Sequence, residues 1–275
     1  MDLFLGGLGV GAFIYAICVM FYKKRDDLVS VKVGSVIGPV AMALGLLFMI
    51  FEMGQPLRMW KTLVRFNFTS TLSWGGILQE GFILFSAIFA FLLLTNRNKN
   101  MRRSLGIFAG IFAIFVAFYH GFLLSFVTAR PLWNAGAVSI GLIVSSVNTG
   151  IAAVLLLTSF SKRGREEILD FNLTLRTVLP ITLITQMATG FIWIVTLITG
   201  KSDFTNAYHL MNQHFGVLLW GGAILIGLIL PFAILIMYGF GPRKDRPLPI
   251  TLVCVPILIG AFIFRYVLIL AGQIS

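Results

Sequence analysis

Eight apolar stretches, each close to the length needed to cross a lipid bilayer, follow one another with only short connections between them: residues 4–22, 33–53, 73–95, 104–127, 135–160, 172–199, 214–238 and 250–273. About 20 apolar residues span the hydrocarbon as a helix, and inside it every backbone polar group must be satisfied by the chain itself. Hydrophobic residues make up 58% of the sequence and charged residues 11%, against about a quarter charged in soluble domains. These features predict an all-α integral membrane protein of eight transmembrane helices. We read residues 1–275 as one transmembrane domain built from two four-helix bundles, leaving no soluble domain for aqueous chemistry.

Basic residues are distributed unevenly between the two sets of connections. Those after the first, third, fifth and seventh stretches carry Lys23, Lys24, Arg25, Lys32, Arg97, Lys99, Arg102, Arg103, Lys162, Arg163, Arg165, Arg243, Lys244 and Arg246. The other set carries only Arg58, Lys61, Arg65, Arg130 and Lys201. Cytoplasmic loops are enriched in Lys and Arg, so this asymmetry places both termini on the periplasmic side of a bacterial inner membrane. The net charge of +11 is then a topology signal, and no nucleic-acid partner is expected.

Ionisable groups inside spans are costly and mark candidate sites. At ~1.5 Å per residue, Glu80, Tyr119, His120 and Arg265 lie about 10 to 12 Å deep from the outer face, and Glu52 closes the second stretch at that face. Residues from four helices thus share one layer of the membrane. Asn148 and Gln186 lie nearer mid-membrane and read as interhelical hydrogen-bond partners. Cys18 and Cys254 are too few for an iron–sulfur cluster, which needs four ligands. Haem is disfavoured too, because His209 falls in a connection and His120 and His214 differ in depth by most of two turns. Pro39, Pro180, Pro231 and Pro256 fall in the inner halves of their spans, where each is expected to bend its helix.

The connection after the second stretch is aromatic-rich, running through Glu52-Met53-Gly54-Gln55-Pro56, Trp60 and Asn67 to Ser73-Trp74-Gly75. An ordered loop of this kind is a candidate docking surface. These residues resemble the corresponding loop of the NrfD/PsrC family of quinone-interacting membrane anchors. Tyr119 to Leu124 with Pro131 to Asn134, Phe215 to Pro231, and Arg265 to Gln273 are similar to the family in the same order along the sequence. The family's usual Arg before the loop proline is Gln55 here, and the Asn and His expected near the first helix are missing around Asp2 to Gly6.

The resemblance implies a subunit with no haem or iron–sulfur cluster of its own. It would pass electrons between a membrane quinone, menaquinone ahead of ubiquinone, and a periplasmic four-cluster iron–sulfur subunit that serves a molybdopterin catalytic subunit. Tyr119, His120, Glu80 and Arg265 would then surround the quinone headgroup, Glu80 and Glu52 would move protons, and Glu52, Gly54, Pro56, Trp60, Asn67, Ser73 and Trp74 would form the partner-docking loop. A headgroup with two carbonyl acceptors needs donors and proton carriers in an apolar cleft, which these residue types supply. The alternatives are a secondary transporter or channel, where intramembrane charges also occur, and a haem b anchor.

Overall fold

The computed structural model describes residues 1–52, 70–127, 129–133, 136–170, 174–239 and 249–274, and among these every regular element is a helix. Among the described residues, eight helices are long and apolar enough to cross a membrane. We label the spans α1 (Asp2–Lys23), α2 (Val29–Glu52), α3 (Thr71–Leu94), α4 (Lys99–Leu123) and α5 (Gly136–Thr158). A short α6 (Lys162–Asp170) does not span, and α7 (Thr174–Thr199), α8 (Ser202–Tyr238) and α9 (Ile250–Ile274) complete the set. An even number of spans brings both termini to one end.

Helices α1 to α4 pack as one bundle, and α5, α7, α8 and α9 as a second. Helix α5 also lies along α1 and joins the two. That junction is glycine-mediated: a Cβ on Gly11 would collide with the Ser146 carbonyl, and one on Gly150 with the Gly11 backbone. Without a hydrophobic force between helices in lipid, such close backbone approach is how spans associate. In the first bundle Phe13 meets Phe82 and Phe89 edge-on at 5.4 and 5.6 Å between ring centres. In the second, Trp193 packs edge-on against Phe264 and donates Nε1–H to the Leu132 carbonyl at 3.2 Å.

The two ends of the molecule differ in chemistry. At the basic end, Glu167 of α6 accepts from the Val29 and Ser30 amides at 2.7 and 3.1 Å, and from the Ser30 hydroxyl. A carboxylate there satisfies the free amides of the α2 N-terminus and complements its dipole. Arg25 binds Asp27 through two N–H groups, Arg163 binds the same carboxylate at 3.0 Å, and Arg102 pairs with Asp26. The Arg25 guanidinium holds the Asp27 carboxyl below its ordinary range, with Arg163 adding to the effect.

Several helices begin before the apolar run does. Helix α8 starts at Ser202 rather than near residue 214, so His209 sits on a helix and not in a connection. Hydropathy marks membrane depth, whereas polar residues such as Asn206, Asn212 and Gln213 are compatible with helix outside it. At 37 residues, α8 is about 55 Å long, well beyond the ~30 Å hydrocarbon. Ahead of Pro180 the backbone makes a π-helical turn over Thr174–Val178, and α8 is π-helical over Leu218–Ile229 before Pro231. Proline supplies no N–H to the helix ladder, and wider turns accommodate the loss.

Candidate functional site

The end opposite the basic loops contains a buried polar cluster assembled from five helices. Helix α1 begins at Asp2, which is buried and two residues ahead of the apolar run. Its next turn carries Gly6 and Gly7, and these two positions admit the side chains of other helices. A Cβ on Gly6 would lie 2.5 Å from the His120 ring, and one on Gly7 would lie 2.5 Å from Ser146 Oγ and 2.9 Å from Arg265 Nη2. The glycine pair therefore seats α4 and α9 against the start of α1.

His120 is 2% exposed and its Nε2 lies 2.8 Å from Gln79 Nε2 on α3. The side-chain amide and the imidazole share one hydrogen bond there, and the other ring nitrogen is Nδ1. That Nδ1 is buried without a partner, as is Oδ1 of Asp2, whose Oδ2 is 4.0 Å from His120 Nε2. Tyr119, the neighbour of His120, is half-buried, with its ring on Gly75 of α3 and its ring centre 5.6 Å from the imidazole.

Arg265 is 3% exposed. It donates from Nη2 to Ser146 Oγ at 3.1 Å and from Nη1 to the Ala261 carbonyl at 3.5 Å, and it lies over the Phe4 ring at 5.7 Å. Its Nε has no partner, and among the described residues no carboxylate pairs with it. A buried cation without a counter-ion is expensive in a membrane and points to a ligand or proton-relay role. Beside it lies an apolar pocket of about 150 Å³ between α1 and α9, lined by Leu3, Phe4, Phe262, Arg265, Tyr266 and Leu270 among others.

Of the residues expected at the site, the structure gathers His120, Tyr119 and Arg265 at one end. It does not bring Glu80 to them. Glu80 is exposed on α3 together with Ile77, Leu84 and Phe91, while the packed face of the same helix carries Gly75, Gln79, Phe82 and Ser86. Adjacent helical residues point about 100° apart, so Gln79 occupies the inward position and Glu80 faces away. Glu52 ends α2, and its side chain lies outside the described set, as do Gly54, Pro56, Trp60 and Asn67. The start of α3 is described: Ser70 Oγ accepts from the Ser73 amide at 3.4 Å, and Trp74 is 47% exposed.

Asp2, Gln79 and Ser146 were missed from the sequence. The small or polar positions 75, 79 and 86 on one helical stripe were the available signal for Gln79, and Gly6-Gly7 one turn after an acidic residue was the signal for Asp2. Asn148 and Gln186, expected to bond across helices, do so at 2.5 Å. No group of three His, Cys, Asp or Glu gathers among the described residues in a way that could hold a metal ion.

Similarity to known proteins extends over the full length. The family described as polysulphide reductase, NrfD, matches residues 1–275. Among similar proteins, a polysulfide reductase subunit of Wolinella succinogenes is 28% identical over 98% of this sequence and 92% of its own length. The NrfD homolog of Haemophilus influenzae is 25% identical over 99% of this sequence and 92% of its own length. Protein NrfD of Escherichia coli K12 is 23% identical over 99% and 93%.

Proposed function

The protein belongs to the polysulphide reductase NrfD family, and from that premise we propose that it is the quinone-interacting anchor of a membrane oxidoreductase. It is a multi-pass protein of the bacterial inner membrane, a membrane subunit within a redox complex. The Wolinella relative, named as one subunit of a polysulfide reductase, supports the presence of companion subunits. We assign these as a four-cluster iron–sulfur subunit and a molybdopterin catalytic subunit. They would dock at the end bearing the buried polar cluster, which the charge asymmetry makes periplasmic.

One observation carries the reading: Arg265 is buried with an unpartnered Nε beside an apolar pocket that opens between two helices. The residues fit a quinone, whose ring is apolar and whose carbonyls accept hydrogen bonds. When bound, a quinone supplies a two-electron, two-proton couple, with menaquinone as the favoured type. Arg265 donates a hydrogen bond and favours negative charge at the carbonyl position. Tyr119 offers a hydroxyl from α4. His120, with its unpartnered Nδ1, and Asp2, close to the end of the molecule, can hold and pass a proton. Helix α1 and the Phe4 ring exclude water from the guanidinium.

Glu80, exposed on α3, and Glu52 keep the proton-transfer role, while headgroup contact is assigned to Arg265, Tyr119 and His120. The segment from Glu52 to Trp74 is assigned to partner docking, and exposed Trp74 supports this for its described part. Family membership supports the anchor reading over the transporter reading. The test is Arg265→Met in the assembled complex. Quinone-linked turnover should fall by more than about tenfold, the effect of losing ~1.5 kcal/mol of charge-assisted hydrogen bonding. Turnover with a soluble dye that feeds the catalytic subunit directly should hold. Full quinone-linked turnover in a stable Arg265→Met complex would refute the assignment.

A further inference from the structure

The basic end holds a cleft between the end of α1 and the start of α4 that the redox role does not use. It is lined by Met20, Phe21, Lys24, Arg25, Asp26, Arg102 and Arg103. Asp26 neutralises Arg102, which is 2% exposed, and Asp27 neutralises Arg25. Lys24 and Arg103 have no hydrogen-bond or ion-pair partner among the described residues, so two positive charges remain uncompensated at one cleft. Helix α4 adds to the imbalance. Its first turn has no acidic residue, its N-cap Asn98 makes no side-chain cap, and Lys99, Arg102 and Arg103 crowd its positive dipole end, where an anion is favoured instead.

Below this rim the surface turns apolar at membrane depth. On α1, Phe21 is 40% exposed, and on α4 Ile107, one turn beyond Arg103, is 48% exposed. Between them Phe89 and Ile17 cover Gly106, whereas a Cβ on Gly110, one turn deeper on α4, would meet only Ile17 at 3.9 Å. The two helices therefore join a cationic cleft to an exposed apolar flank formed by Phe21, Ile107 and the open side of Gly110, and together these make a furrow.

We propose that this furrow is a binding site for an anionic phospholipid of the inner leaflet. Its phosphate sits between Lys24 and Arg103, with the paired Arg102 behind, and an acyl tail runs over Phe21 and Ile107 toward Gly110. Charge complementarity fixes the headgroup class, and the exposed apolar flank below the cations selects a lipid over a free anion. The proposal rests only on membrane embedding and not on the quinone reading.

The test compares lipid retention by the purified full-length protein in detergent, read by native mass spectrometry and by thermal unfolding. Dioleoyl-phosphatidylglycerol should bind and raise the unfolding temperature, while dioleoyl-phosphatidylcholine and inorganic phosphate should not. The combined variant Lys24→Gln, Arg103→Gln should retain phosphatidylglycerol about 25-fold less well, roughly fivefold for each cation lost at a membrane surface. The matched variant Arg97→Gln, Lys162→Gln removes the same charge elsewhere on this end and should retain it as the parent does. Equal losses in both variants would reduce the effect to general surface charge and overturn the site. So would phosphatidylcholine binding as tightly, or inorganic phosphate giving the same thermal shift.

Discussion

Replacing Gly7 by alanine probes the junction on which the cluster depends. The new methyl carbon would stand 2.5 Å from Ser146 Oγ and 2.9 Å from Arg265 Nη2, so to reach ordinary contact near 3.4 Å these atoms would have to retreat by about 0.9 and 0.5 Å. Both atoms belong to one hydrogen bond of 3.1 Å, and moving them apart breaks it. That bond positions the guanidinium, and a hydrogen bond from a charged group contributes about 1.5 to 3 kcal/mol, so the fall in quinone affinity is bounded at roughly 10- to 150-fold. The same loss falls on stability, where the preference of alanine over glycine for helix, up to ~1 kcal/mol, offsets part of it.

Gly76→Ala is the control, because a Cβ there meets nothing within 4 Å. The assay is binding of a quinone-site inhibitor by the intact complex, measured beside unfolding temperature, with Ser146→Ala added to Gly7→Ala to relieve the nearer collision. The reasoning predicts weakened binding in Gly7→Ala, normal binding in Gly76→Ala, and no recovery of the lost hydrogen bond in the double variant. Normal inhibitor affinity in a well-folded Gly7→Ala complex would show that Arg265 and Ser146 do not shape the site.

Gln79→Leu strands the buried Nε2 of His120 and should cost about 1 to 3 kcal/mol in unfolding of the full-length protein. Adding His120→Phe should recover part of that loss, and full additivity of the two losses would deny the contact. Trp74→Ala should lower co-purification of the soluble partners without changing the fold of the isolated subunit, since buried aromatic anchors tend to dominate interfaces; unchanged assembly would leave Trp74 a lipid-facing residue. At the basic end, the Asp27 carboxyl is held below its ordinary range chiefly by its hydrogen bond from Arg25. Its contribution to stability is present above about pH 4 and is lost as acid passes below that value. Asp27→Asn should therefore flatten the acid limb of the stability profile, and an unchanged limb would contradict the ion-pair account.

The spans were legible because hydrocarbon imposes a single requirement, a long apolar helix, that composition alone reveals. The helix ends were less legible. Asp2 and the residues from Ser202 to Gln213 are polar yet helical, and hydropathy does not register helix outside the bilayer. At the site, depth was readable and direction was not. Glu80 and Gln79 share a depth, but only the stripe of Gly75, Gln79, Phe82 and Ser86 packs inward. Charge drew attention to the carboxylate, whereas the uncharged amide makes the buried contact. The partners of Arg265 were hidden for another reason: Ser146 and the Gly7 backbone matter through proximity across three helices, which no local pattern encodes.

Photoaffinity labelling of the assembled complex with a quinone carrying a photoreactive group on its ring tests the central claim most directly. The account predicts covalent label on α1 and α9 around Phe4, Phe262, Tyr266 and Leu270, competed by unlabelled quinone and reduced in Arg265→Met. Competable label confined instead to α7, around Gln186, Thr189 and Trp193, would contradict it.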